Sequence, residues 1–131
     1  MTVLVAAAVL IEDGRVLLSQ RRSGTHLEGK WEFPGGKVEP EEDPRAALQR
    51  ELREELGIET TVGEIVDVTF HRYAEKTVLL LFFEATRTAT SPAPTAIEVA
   101  AVQWAEAKDL EGERFPEADV PVLRKVRARC R

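Results

Sequence analysis

The sequence predicts an α/β fold, and three stretches predict it. Thr2 to Ile11 is an apolar run rich in β-branched residues, as expected of a strand covered on both faces. Val78-Leu79-Leu80-Leu81-Phe82-Phe83 has the composition of a central strand. Between them, residues 44–56 read as one strong helix. Asp43 is placed to cap it, Pro44 suits its first position, and Gly57 suits its left-handed end.

The chain has 131 residues, which predicts a single domain over 1–131, and 44% hydrophobic content can fill a core. A net charge of -5 argues against a general duplex nucleic-acid binder, which needs a basic face. Cys130 is the only cysteine, so no intrachain disulfide is possible; it reads as an incidental thiol. Residues 2–11 are too few to span a bilayer and lack the basic start of a signal peptide. A cytoplasmic location and no membrane partner are expected.

In order, Glu12-Asp13-Gly14 turns the first strand back into Arg15 to Arg22, giving a hairpin. Ser23 to Lys30 is a polar loop. Trp31-Glu32-Phe33 is short and extended, because Pro34 disfavours helix before it. Gly35 and Gly36 permit a close backbone approach. Thr60 to Tyr73 and Thr77 to Arg87 read as strands around a turn at Ala74-Glu75-Lys76, and Ile97 to Trp104 reads as another. Glu106 to Glu111 makes at most a short helix. A last helix is expected from about Val120, with Asp119 as its cap and Val122, Leu123, Val126 and Cys130 on one face. Arg124, Lys125, Arg127, Arg129 and Arg131 crowd its end, where cations complement the helix dipole.

The chemistry concentrates in residues 35–58. Glu51, Glu54 and Glu55 share one side of the helix, where like charges repel unless a cation offsets them. Arg50 can offset part of that repulsion. Mg²⁺ suits the rest, since it takes oxygen ligands and is held by a few carboxylates, waters and substrate phosphates. The Gly35 carbonyl can add a backbone ligand. Leu48, Leu52 and Leu56 lie on an adjacent side and can bury while the carboxylates face a ligand. Glu42 and Arg50 can pair and tie the loop to the helix. A solvated Glu/Arg surface helix is the plainer reading of the same composition.

The full spacing decides between them. Gly36, Glu42 and Arg50-Glu51-Leu52-Arg53-Glu54-Glu55-Leu56-Gly57-Ile58 resemble the Nudix box at every defined position. The length, the first hairpin, Trp31 to Gly36 and the Phe115 to Val122 ending resemble the MutT-like branch of that family. The resemblance implies an α/β/α sandwich around a mixed sheet. It also implies hydrolysis of a nucleoside triphosphate to a monophosphate and pyrophosphate with Mg²⁺, for which Mn²⁺ can substitute. By the same resemblance Glu51, Glu54, Glu55 and the Gly35 carbonyl bind metal, Arg50 orients Glu51, and Glu42 braces the loop. Glu51 or Glu98 is the base, Glu98 standing where related proteins carry a further acidic ligand. Arg21 matches a phosphate-contacting arginine; its alternative is an ordinary strand-end residue. Gly36 and Gly57 are structural. His26 and His71 show no metal-ligand spacing and are read as non-catalytic, and Trp31 and Phe33 as core.

The base is chosen elsewhere. MutT carries asparagine where this chain has Asp119. An ionised carboxylate only accepts hydrogen bonds, which suits the amine of cytosine better than guanine O6. Ala118-Asp119-Val120-Pro121 also resembles the CTP pyrophosphohydrolase branch, so CTP, dCTP or a 5-substituted cytidine triphosphate is expected ahead of 8-oxo-dGTP. Tyr73 and Lys76 are the positions expected to stack on the base and touch its edge. Two other readings stand: a Nudix hydrolase of a different diphosphate, such as a dinucleoside polyphosphate or nucleotide sugar, and a non-catalytic nucleotide-binding module. The intact carboxylate set argues against the last. A monomer or homodimer is expected.

Overall fold

The computed structural model describes residues 1–130; Arg131, placed by the sequence in the basic C-terminal cluster, lies outside the described residues. Strand β1 (Thr2–Glu12) turns at Asp13-Gly14 into β2 (Arg15–Gln20). Both turn residues have positive φ, at 51° and 75°, as a tight two-residue hairpin requires. Then come β3 (Trp31–Glu32), β4 (Gly35–Lys37), helix α1 (Pro44–Leu56), β5 (Thr60–Arg72), β6 (Thr77–Arg87) and β7 (Ala101–Ala105). Short 3-10 turns at Ala107–Asp109, Gly112–Arg114 and Glu117–Val122 lead to helix α2 (Leu123–Arg129).

The strands form one mixed sheet in the order β3-β2-β1-β6-β5, with β4 beside β1 and β7 beside β2. β1 and β6 run parallel from Thr2–Thr77 to Leu10–Ala85. β1 and β2 pair only next to their turn, at Ile11–Val16 and Glu12–Arg15. Beyond that they part: β4 takes the freed edge of β1, and β3 and β7 flank β2.

Helices cover both faces, which explains the unbroken apolar run of β1. Ala6, Ala8 and Leu10 pack with Leu48, Leu52 and Leu56 of α1. Ala7 and Val9 point the other way, into a core closed by Val122, Leu123 and Val126. This is the α/β/α sandwich the sequence implied. The three α1 leucines have no exposed surface, so truncating one to alanine costs about 2–5 kcal/mol. Among the described residues no helix is long and apolar enough to cross a membrane.

Gly35 and Gly36, where a close backbone approach was expected, form a strand paired with Ala7 and Ala6. Two expectations need correction. The strand read over Ile97 to Trp104 begins only at Ala101, because the Ile97 and Glu98 N–H groups are taken by the Glu55 carbonyl at 3.0 and 3.2 Å. The last helix begins at Leu123, not Val120, and Asp119 does not cap it. Asp119 sits inside the preceding 3-10 turn with its side chain buried.

Candidate active site

α1 begins and ends as its sequence dictates. Asp43 accepts the Arg45 N–H at 2.7 Å and the Ala46 N–H at 3.4 Å, and Gly57 closes the helix at φ 69°. Those limits set the rotation of the helix. Its leucines turn into the core and Arg50, Glu51, Glu54 and Glu55 turn toward β4 and its loop.

Arg50 is the hub of this face. Its guanidinium grips both oxygens of Glu42, at 2.9 and 3.0 Å, and donates to Glu51 at 3.0 Å and Glu54 at 3.3 Å. It also reaches the Lys37 carbonyl at 3.3 Å. The bidentate bond to Glu42 locks the loop before α1 onto the helix. The bond from Arg50, with that from the Glu39 N–H, lowers the Glu42 carboxyl to about 2.

Gly36 makes room for Glu51. A Cβ on residue 36 would lie 2.4 Å from the Glu51 carboxyl carbon. Gly35 is constrained from the opposite side, since a Cβ there would lie 2.0 Å from the Ala6 carbonyl oxygen. The double glycine lets β4 run against β1 on one flank and the carboxylate of Glu51 on the other.

Glu51 and Glu55 share a hydrogen bond. Burial, then the charges of Glu51, Glu32 and Glu98, push Glu55 up to about 8. Glu51 is raised as well, mainly by burial, although Arg50 pulls the other way. Glu54 stands apart, exposed and turned to Arg50. Among the described residues no three such side chains already converge as a closed metal cage. Two half-buried, adjacent carboxyls, both with raised pKa, mark a site short of positive charge, so the donor set suits a hard divalent cation.

A cavity of about 250 Å³ opens beside this cluster. Gly35, Gly36 and Glu55 line it together with Arg21, Tyr73, Lys76 and Asp119. The structure therefore brings together residues that are up to 98 positions apart in sequence, Arg21 and Asp119. Glu51, Glu54 and Glu98 are not among the lining residues; Glu98 is exposed, but its charge is felt at Glu55.

Asp119 is 6% exposed. Its carboxyl accepts the Phe33 N–H. Burial, then the neighbouring Glu32 charge, raises its pKa well above the usual carboxylate range. The upward shift disfavours the ionised, acceptor-only form on which a preference for the cytosine amine rests. Tyr73 is fixed nearby: its hydroxyl accepts the Ala118 N–H at 3.1 Å, and its ring meets His71 and His26 edge-on at 4.5 and 5.6 Å. His26, read as a bystander, lines the cavity through this contact.

Glu32 escaped the sequence reading. It lines the cavity, accepts from Arg21 at 3.0 Å, and faces both Glu55 and Asp119 electrostatically. Burial raises its carboxyl despite that arginine. Its signal was a lone acid between Trp31 and Phe33, two buried-type residues. Arg21 is held from two sides, since its Nε also donates to the His26 carbonyl at 2.6 Å.

The model of the NUDIX domain matches residues 1–129. The chain belongs to the Nudix hydrolase family. The CTP pyrophosphohydrolase of Escherichia coli is 61% identical over 62 residues, which are 47% of this chain and 46% of that protein. The chain thus matches less than half the length of that relative. The 8-oxo-dGTP diphosphatase of Haemophilus influenzae is 31% identical over 123 residues, 93% of this chain and 89% of that one. Among solved structures, the solution structure of the E. coli ORF135 protein has a TM-score of 0.80 at 38% identity, covering 97% of this Nudix chain and 89% of that chain.

Proposed function

We propose that this Nudix hydrolase converts a nucleoside triphosphate and water to a nucleoside monophosphate and pyrophosphate, with a cytidine triphosphate as substrate. One observation carries the reading: the glycine strand, Glu55 and the buried Asp119 line the same cavity. A triphosphate laid toward α1 brings its base to Asp119.

Glu51, Glu54, Glu55 and the Gly35 carbonyl would hold Mg²⁺, with Glu98 as a further ligand. Bound there, the ion neutralises phosphate charge and makes water a better nucleophile. Arg50 holds Glu51 in place and Glu42 holds Arg50. Glu51 takes the proton of the attacking water, with Glu98 as the other base available; Glu51 has the advantage of a fixed position against Arg50 and Gly36. Arg21 is oriented by Glu32 and binds phosphate through its remaining donors. Tyr73 and Lys76 flank the base, and Asp119 meets its edge.

A second reading, 8-oxo-dGTP, is favoured by the burial of Asp119, which raises its pKa and disfavours the ionised form, and by the name of the H. influenzae relative. Pyrophosphate release from CTP, dCTP, 5-methyl-dCTP, dGTP and 8-oxo-dGTP with Mg²⁺ separates the two. The cytidine reading expects the largest kcat/KM on a cytidine nucleotide. A larger value on 8-oxo-dGTP replaces it with the second reading.

A further inference from the structure

β5 is the outer strand of the sheet, bonded to β6 alone. Its apolar side chains are not all covered. Ile65 is 46% exposed, Val68 49% and Phe70 60%. Val68 and Phe70 lie opposite Leu81 and Leu79 of β6, which are half-buried on the same face. α1 covers the beginning of β5, where Arg45 and Gln49 bond the Gly63 and Thr60 carbonyls, and stops short of this patch.

The Tyr73 N–H bonds the Lys76 carbonyl, which continues the β5–β6 ladder through the odd-numbered residues. The N–H of Val68 instead meets the side chain of Asp67 at 2.9 Å. Val68, Phe70 and Arg72 therefore point their N–H and C=O groups away from β6. Edge strands in stable folds are usually blunted by charge, proline or a cover, because such a row is a template for another strand. Here the outward row carries a valine and a phenylalanine, and its one local block is the Asp67 carboxylate on the Val68 N–H, which must swing aside for the row to pair.

We propose that a second copy of this chain pairs with β5, antiparallel and about a two-fold axis at Thr69. The strand is self-complementary in that register. Val68 of each copy lies opposite Phe70 of the other, so the apolar patch continues across the axis. On the other face each Asp67 comes opposite a His71. Within one chain Asp67 already pairs with Lys125 at 3.3 Å and His71 with Glu117 at 3.1 Å, so acid and base alternate across the junction. Two-fold pairing uses up the β5 edge of both copies at once, which suits a dimer rather than a fibre. Pairing of so short a segment buries less than the ~800 Å² per partner of a standard interface. The dimer is therefore concentration-dependent. Arg72 sits next to the turn that brings Tyr73 and Lys76 to the cavity, so the junction ends beside the substrate site.

Sedimentation equilibrium over a concentration series from ~10 μM to ~1 mM tests this directly. The wild-type mass is expected to climb from the 14.6 kDa of one chain toward twice that value, while Phe70→Lys and Val68→Lys stay at one chain mass. Both side chains are exposed, so both variants are expected to keep the wild-type circular dichroism and Tm. Amide exchange at Phe70 and Arg72 should slow as the concentration rises. A wild-type chain that stays monomeric throughout overturns the proposal. A dimer that persists in both lysine variants with unchanged exchange at Phe70 also overturns it.

Discussion

The Cα of Gly36 lies against the carboxylate of Glu51, with no space for a methyl group between them: a Cβ at residue 36 would stand 2.4 Å from the Glu51 carboxyl carbon. The obstacle is the tip of a flexible side chain, so the fold can absorb Gly36→Ala by moving it. The variant should fold with a Tm within a few degrees of wild type. It should lose turnover by ~10-fold or more, because displaced ligands and their supports typically cost that much. Steady-state kinetics beside a melting curve check this; unchanged kcat/KM would remove Glu51 from the reaction.

Arg50 ties Glu42, Glu51 and Glu54 together through one guanidinium. Lysine keeps the charge but not the fork. Arg50→Lys should therefore lower activity ~10- to 100-fold and weaken Mg²⁺ binding. Glu42→Gln should do the same to a smaller degree, since Arg50 keeps its other partners. Mg²⁺ titrations of activity check both; an Arg50→Lys enzyme with wild-type Mg²⁺ dependence would make the network merely structural.

The carboxyl pair predicts a pH dependence with a defined sign. The Glu55 carboxyl is pushed up to about 8 in the folded chain, against 4.5 for a free glutamate side chain. The folded state binds the extra proton, so stability from this group is present below the lower value and is lost as pH rises toward the upper one. In EDTA, Tm should fall between pH 5 and 8 by more in wild type than in Glu55→Gln. Mg²⁺ binding should release protons over the same range, seen as a buffer-dependent heat in calorimetry. A slope of the opposite sign, or one equally steep in the glutamine variant, contradicts the assignment.

How much of this was legible in the sequence differs from element to element. The limits of α1 were, because Asp43, Pro44 and Gly57 each act within a turn of the helix. The two central strands were, because both faces of β1 and β6 are buried and leave a continuous apolar run. Residues 97–100 were not: the Glu55 carbonyl takes the Ile97 and Glu98 N–H groups, and no local pattern announces a bond to a distant helix end. Asp119 looked like a helix cap because aspartate is favoured at that position and Pro121 suits a first turn. Its partner, the Phe33 N–H, is 86 positions away. Glu32 was hidden for the same reason, since its partners Arg21, Glu55 and Asp119 meet only in the folded chain. Spacing within the helix revealed the carboxylates; the far end of the cavity required the tertiary fold.

Asp119 separates substrate choice from stability. Asp119→Asn keeps an acceptor for the Phe33 N–H and should fold normally, while its preference for cytidine nucleotides over 8-oxo-dGTP falls. Asp119→Leu leaves that N–H unpaired in a buried place and should cost about 1–3 kcal/mol. Substrate ratios for the asparagine variant and denaturant melts for the leucine variant check the pair. An unchanged ratio would leave Asp119 a structural acceptor only.

The most direct test of the proposed chemistry is pyrophosphate release from dCTP, with Mg²⁺ and with EDTA, by wild type and by Glu54→Gln. Glu54 is exposed and outside both cores, so its loss should leave the fold intact. The account predicts stoichiometric dCMP and pyrophosphate from wild type, none in EDTA, and a loss of at least ~100-fold in the folded variant. Turnover that persists in EDTA, or near wild-type turnover by Glu54→Gln, would contradict it.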